Sequence, residues 1–400
     1  MYKRQVHGRG RTAAPGLGAA GPAGGAVRTH RRRPPLSADT SHGDREGRPA
    51  RHRMTGFPSR HRKESQMASS SPTSLPDPEL RPGRPPVLQV EIDDEAPRWA
   101  TRHRDALRAA VTEHGALLVR GLGLREPAVI GAVFRGLTAG LMVEREAFAP
   151  REDHGSGVYS ATQWPPNQPM CMHHELSYRV EFPGLMLFAC PTAPATGGAT
   201  AVADGPTVLD ALPAELTERF ERQGWLLTRS YNDEIGASVA ESFGTEDRAA
   251  VEAYCRAHAI EFAWQPDGGL RTRQRRSAVV RHPASGRRCW FNQIAFLNEW
   301  TLAPEVRDYL VDVYGPDGLP FNTRYGNGDP IGEDVVQLLN KIYEQATVRE
   351  PWHSGDLLLV DNIRTAHSRE PYDGPREVLV GLADPVHLAD CSPTVEVTAR

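Results

Sequence analysis

From Pro97 to His114 apolar residues recur near Trp99, Leu107, Ala110 and Val111, the spacing of one helical face, and Gly115 marks a stop. ALLVRGL, which follows, reads as a buried strand, and Glu126 to Leu141 as a second helix. The segment 142–170 is polar and loop-like, with GVYS as a short strand. Beyond it GLMLFACP reads as a core strand, and GGATAVAD carries a two-glycine turn into another. Asp210 to Gly224 and Glu246 to Ala259 are amphipathic and predict helices. SAVVRHP and CWFNQIAFL flank Ala284-Ser285-Gly286, a hairpin signal. Glu333 to Gln345 predicts a helix with Val335, Val336, Leu339, Ile342 and Tyr343 on one face, and DLLLVDN and EVLVGLAD close the pattern as strands. Helices come early and strands recur late without strict alternation. That argues α+β, a strand-built core flanked by helices.

Composition changes this picture mainly at the N-terminus. Residues 1–66 carry 15 Lys/Arg against 4 Asp/Glu, a net of +11, whereas residues 67–400 carry 32 against 46, a net of −14. The basic segment is Gly, Pro, Ala and Arg with almost no large apolar residues, so it cannot build a core. A nucleic-acid arm and an Arg-rich presequence are two readings of it; a third is that translation starts at Met67, behind a Lys63-Glu64 pair whose codons can spell a ribosome-binding sequence. The expected organisation is a disordered extension over 1–84, one domain over 85–390 and a tail over 391–400. The modestly acidic body argues against a nucleic-acid enzyme and for a small-molecule one. No run of eighteen apolar residues suits a spanning helix, which argues against a membrane partner. Cys171, Cys190, Cys255, Cys289 and Cys391 form no C-x-x-C pair and read as reduced thiols in a cytoplasm.

The candidate chemistry sits in two clusters. His173-His174-Glu175 is an H-x-E triplet; on an extended backbone, residues i and i+2 point to one side, so His173 and Glu175 could share a metal while His174 points away. That is two-thirds of a 2-His-1-carboxylate facial triad, which leaves metal positions open for oxygen chemistry. The second cluster, WHSGDLLLVDNIRTAHSREPYDGPR (352–376), puts His367 after a hydrophobic strand and an Asp-Asn turn, with Arg376 at the start of the next strand. An arginine there can grip a carboxylate through two parallel hydrogen bonds, as a chelating keto acid would require.

Taken together, HHELSY (173–178), FACP (188–191), GGATAVAD (197–204), WFNQ (290–293), RYGNG (324–328), GDLLLVDN (355–362) and AHSREPYDGPR (366–376) resemble the taurine dioxygenase (TauD/TfdA)-like, clavaminate synthase-like family of Fe(II)- and 2-oxoglutarate-dependent oxygenases. Within it they are most similar to the branch of peptide natural-product pathways that includes the syringomycin-pathway hydroxylase. The resemblance implies a double-stranded β-helix, or jelly roll, with flanking helices. It implies His173, Glu175 and His367 as iron ligands, and Thr200 and Arg376 as holders of the distal carboxylate of 2-oxoglutarate. It also implies O2 as co-substrate, with succinate and CO2 as products. Halogenating relatives replace the carboxylate ligand with a small residue, so Glu175 favours hydroxylation, with desaturation or cyclisation at the same iron as an alternative. The branch points to an amino acid or amino-acid-derived substrate, free or tethered to a peptidyl carrier protein. From another class, a metal-binding module without turnover is opposed by the intact triad and Arg376. Trp290, Phe291 and Asn292 read as core, the remaining histidines as structural, and Arg369 as facing either the site or solvent; Tyr159 and Tyr178 are further pocket candidates.

Overall fold

The computed structural model describes residues 75–397, apart from 147, 149–150, 156 and 233–234. The N-terminal basic segment therefore lies outside the described residues. Two strands and two helices open the domain: β1 (Val87–Gln89), α1 (Ala96–His114), β2 (Ala116–Arg120) and α2 (Pro127–Leu137). Then come β3 (Val158–Ser160), β4 (Met170–His173), β5 (Glu181–Thr192), β6 (Thr196–Gly197) and β7 (Val202–Asp204). A long insertion begins with α3 (Gly205–Ala211), α4 (Ala214–Gln223), β8 (Trp225–Tyr231), α5 (Val239–Phe243), α6 (Arg248–Ala257) and β9 (Glu261–Trp264). It continues with β10 (Leu270–Arg276), β11 (Val279–Arg281), β12 (Arg288–Trp290), α7 (Pro304–Tyr314), β13 (Phe321–Tyr325) and α8 (Glu333–Ala346). The chain ends in β14 (Thr347–Val348), β15 (Asp356–Asp361), β16 (Thr365–Arg369), β17 (Tyr372–Asp373) and β18 (Glu377–His387).

A six-stranded sheet runs β1-β2-β15-β5-β18-β3, and a four-stranded sheet runs β14-β7-β16-β4. Of these strands β3, β4, β5, β7, β14, β15, β16 and β18 form the core; numbered one to eight, they lie in the orders 6-3-8-1 and 5-4-7-2, the Greek-key arrangement of a jelly roll. Period-two alternation sorts the side chains of the larger sheet. Leu118, Phe188, Leu358 and Val380 join the core cluster that holds Val202 and Ala366 of the smaller sheet. Leu117, Leu187, Leu357 and Leu379 turn the other way, onto Trp99 and Leu107 of α1 and Ile130 and Phe134 of α2. Burial on both faces explains why β15, Asp-Leu-Leu-Leu-Val-Asp, reads as a near-continuous apolar run.

The pattern-based elements fall close to most of these bounds, but the strand read at CWFNQIAFL stops at Trp290 and the helix read over Glu126 to Leu141 stops at Leu137. The helix expected over Asp210–Gly224 is two helices, α3 and α4, because Pro213 cannot continue the first and begins the second as its cap. The chain also pairs outside the limits drawn from composition. Glu79 bridges Val87, Leu75 packs against the helix-side core, and Val395 is buried with its N–H on Ser277 Oγ. Among the described residues no helix is long and apolar enough to cross a membrane.

Candidate active site

β4 and β16 are antiparallel neighbours, and their register sets His173 directly opposite His367. Opposed residues on such strands have their Cβ atoms about 5 Å apart and share a face; the two imidazole centroids are 4.4 Å apart. Glu175 arrives differently from the strand alternation expected of it. β4 ends at His173, and the chain turns through Glu175 and Leu176, the latter at φ +54°. Asn362 fixes that turn: its Oδ1 accepts from the Glu175 N–H at 2.7 Å, and its Nδ2 donates to the carbonyls of Glu175 and Pro183. Asn362 is fully buried, so these bonds have no water to compete with them.

The result is a convergence of donors. Glu175 Oε2 lies 3.6 Å from both His173 Nε2 and His367 Nε2, and one ligand atom from each residue lies within 4.8 Å of the others. Donors about 2.1 Å from one ion and at right angles to each other are about 3 Å apart, so small side-chain movements would complete a facial set. Protonation states suit an ion. Burial pulls His367 down to about 4, which leaves its imidazole neutral near pH 7 with a lone pair to give. Burial alone would raise the carboxyl of Glu175, but the Arg151 guanidinium, and after it the two imidazoles beside it, hold it well below the ordinary range. The carboxylate divides its oxygens: Oε1 accepts from Arg151 Nη2 at 3.0 Å, while Oε2 faces the histidines. His173 Nδ1 donates to the Cys171 carbonyl at 2.9 Å, which presents Nε2 as the lone-pair nitrogen. His174 turns away, with Nδ1 on the Asn362 carbonyl and its ring against Phe291.

Thr200 and Arg376 line the same cavity, of about 50 Å³, as the three converging side chains. The strand β16 runs on past Thr200, with Ser368 N–H on Ala201 and Glu370 N–H on Ala199. Arg376 donates Nε to the Gly198 carbonyl at 2.9 Å, and its two terminal nitrogens have no protein acceptor among the described residues. Burial lowers it to about 10, so it stays charged at neutral pH. Gly198, at φ +71°, is what lets the arginine come so close: a Cβ there would meet Arg376 Cδ at 3.1 Å and Tyr372 Cβ at 2.9 Å. Arg369 lines the cavity too, but its terminal nitrogens are taken up by the carbonyls of Trp164, Pro165 and Gln168. Those bonds fasten a loop, while its buried Nε has no hydrogen-bond partner among the described residues.

A second cavity, of about 90 Å³, adjoins the first across Thr162, which lines both. Its wall is mainly aromatic and apolar: Phe148, Trp164, Tyr231, Phe296, Leu302 and Phe321. Phe296 stacks on the His173 ring at 4.5 Å. Tyr159 and Tyr178 line neither cavity; the Glu144 N–H donates to the Tyr159 hydroxyl, and Tyr178 donates to the Glu146 carbonyl. Trp290, Phe291 and Asn292 are buried in the core.

Residues 79–382 match the model of the family "Taurine catabolism dioxygenase TauD, TfdA family". The chain belongs to this family. Its members, and therefore this oxygenase, are Fe(II)- and 2-oxoglutarate-dependent dioxygenases, which is the chemistry the donor set above would accept. The oxygenase is 34% identical over 277 residues to the dapdiamide synthesis protein DdaC of Enterobacter agglomerans, an alignment that covers 69% of this chain and 84% of that one. It is 27% identical over 308 residues to the clavaminate synthase-like protein At3g21360 of Arabidopsis thaliana, covering 74% and 89%. Among solved structures, PvcB of Pseudomonas aeruginosa superposes with a TM-score of 0.45 at 16% identity, covering 79% of this chain and 92% of that one. The assignment rests on the sequence matches.

The sequence reading missed Arg151, Asn362 and Thr162. Asn362 stood inside the GDLLLVDN motif without a role. Arg151 and Thr162 lie in a polar loop where no spacing marks them.

Proposed function

We propose that His173, Glu175 and His367 hold Fe(II), that Thr200 and Arg376 hold the distal carboxylate of 2-oxoglutarate, and that the oxygenase hydroxylates an amino acid or amino-acid-derived substrate. The observation that carries this is the meeting, in one small cavity, of the three donors and a half-buried arginine whose terminal nitrogens have no protein acceptor among the described residues. Bound there, the iron and its keto acid supply oxidising power drawn from O2 and the decarboxylation to succinate. The chain's own residues do the rest. Asn362 and the Cys171 carbonyl orient two of the donors, Arg376 and Thr200 set the keto acid's direction, and the aromatic wall keeps water from the substrate.

The substrate class draws on the motif resemblance and on the likeness to a protein named for dapdiamide synthesis. An acyl group on a carrier protein is the tethered form of the same substrate, and the apolar cavity beside the donors suits its chain. The five free cysteines fit a reducing cytoplasm.

The test is a turnover assay with Fe(II), 2-oxoglutarate and O2 against amino acids, each free and carrier-loaded, with succinate and product mass read together. The expected result is succinate formation matched by one added oxygen atom in a substrate of this class. Loss of two hydrogens in place of that gain would assign desaturation or cyclisation. No succinate under any condition would overturn the enzymatic reading.

A further inference from the structure

Arg151 is buried in the wall of the cofactor cavity, with 8% of its side chain exposed. Three of its contacts are plain: Nη2 donates to Glu175 Oε1 at 3.0 Å, Nε donates to Thr162 Oγ1 at 3.1 Å, and Nε lies 3.4 Å from Glu144 Oε1. Its Nη1 is buried and has no hydrogen-bond partner among the described residues. A buried charged donor left unmet is costly, and such a group in a cavity wall points to a ligand that meets it. Arg376 lies elsewhere in the cavity, held by Gly198, whereas Arg151 is beside the metal donors.

We propose that Arg151 is a second anion-binding residue of this cavity: while Nη2 holds Glu175, Nη1 donates to the metal-chelating carboxylate of the 2-oxo acid. This rests on the iron and 2-oxoglutarate reading above. The two terminal nitrogens of a guanidinium form a parallel fork that spans a pair of oxygens about 2–3 Å apart. A fork with one prong on the outer oxygen of Glu175 therefore offers its other prong to the neighbouring carboxylate. The keto acid would then be gripped at both ends, by Arg151 at the chelating carboxylate and by Arg376 at the distal one.

A pair of keto acids separates the two ends, because 2-oxobutyrate has the chelating carboxylate and lacks the distal one. Arg151→Lys keeps a positive charge beside Glu175 and Glu144 but loses the fork; Arg151→Met loses both and serves as a second variant if it folds. Binding is read without turnover, from the visible charge-transfer band of the anaerobic Fe(II)–keto acid complex, with Mn(II) binding in the absence of keto acid measured in parallel. For Arg151→Lys the dissociation constants of 2-oxoglutarate and 2-oxobutyrate should rise together, by about tenfold, the worth of one charge-assisted hydrogen bond. For Arg376→Ala only that of 2-oxoglutarate should rise. If Arg151→Lys moves neither keto acid, moves 2-oxoglutarate alone, or alters Mn(II) binding alone, the proposal is overturned, and an effect on substrate KM alone overturns it equally. If the wild type itself shows no band with either keto acid, the cofactor reading fails and not only the part given to Arg151.

Discussion

The two cavities at the donors share the stretch from Phe148 to Cys171 but otherwise draw on different parts of the chain. The smaller one is lined by the jelly roll and the loop before it: His173, Glu175, Thr200, His367 and Arg376, with Arg151 and Thr162. The larger one takes Arg229, Tyr231, Phe296, Leu302 and Phe321 from the insertion between β7 and β14. In the first, donors are fixed by strand register and by a buried asparagine. In the second, the wall is made of rings and apolar side chains on loops and a separate sheet. The contrast suggests a division of labour: the jelly roll specifies the reaction and the insertion specifies the substrate.

The comparison is broken most severely at the donors. Glu175→Ala or His367→Ala should abolish product formation and weaken metal binding, read by succinate release and by Mn(II) titration. Near-wild-type turnover by either variant would mean that the convergence of side chains is not the metal site. Arg376→Ala should raise the apparent 2-oxoglutarate constant by roughly 30-fold or more, since losing a buried charge partner costs about 2–5 kcal/mol. Metal binding without keto acid should stay the same, and Arg376→Lys should recover only part of the loss. An unchanged constant in Arg376→Ala would send the anchor elsewhere.

Asn362→Ala tests the support behind the donors. It strips partners from the Glu175 N–H and from two buried carbonyls, at about 1–3 kcal/mol for each group left unmet. Metal affinity should fall by about 10–100-fold, as for other residues that orient a ligand, and the melting temperature should fall with it. A drop in melting temperature with metal affinity intact would make Asn362 a fold residue only. Leu302→Ala and Phe321→Ala are the mildest and the most informative about the division. They should shift kcat/KM between substrates by about 10–200-fold, as pocket-size changes do, and leave the 2-oxoglutarate constant untouched. If they move that constant as strongly as Arg376→Ala does, the two cavities are one functional unit.

The same division decided what could be read from the sequence. The jelly-roll strands carry short apolar runs with the proposed ligands near their ends, so β5, β7, β15 and β18 and the residues His173, His367, Thr200 and Arg376 stand out in a linear text. The two glycines of GGATAVAD were legible as a turn, and Gly197 and Gly198 both adopt positive φ beside β17. Glu175 was singled out for a reason the fold does not use, since it sits on a turn held by Asn362 and not on a strand. Arg151 was illegible because its partner is reached across a loop with no periodicity. The insertion was harder still. β10 buries Leu270, Thr272, Gln274 and Arg276 in alternation with exposed Arg271, Arg273 and Arg275, so its inward face is largely polar and gives no hydrophobic signal. That face exists because Glu146, itself fully buried, accepts from Gln274 and from the Tyr254 hydroxyl.

The position of the insertion also sets the order of assembly. β7 and β14 are paired, Ala203 to Thr347, yet everything from α3 to α8 lies between them in the chain. His173 and His367, opposed in the register, are separated by about 190 residues, the kind of long-range closure that slows folding. During synthesis the first half of the jelly roll leaves the ribosome long before its partner strands do, with β5 waiting for β15 and β18. The whole insertion therefore leaves the ribosome before β14 does, and the three candidate donors can meet only when the last strands close.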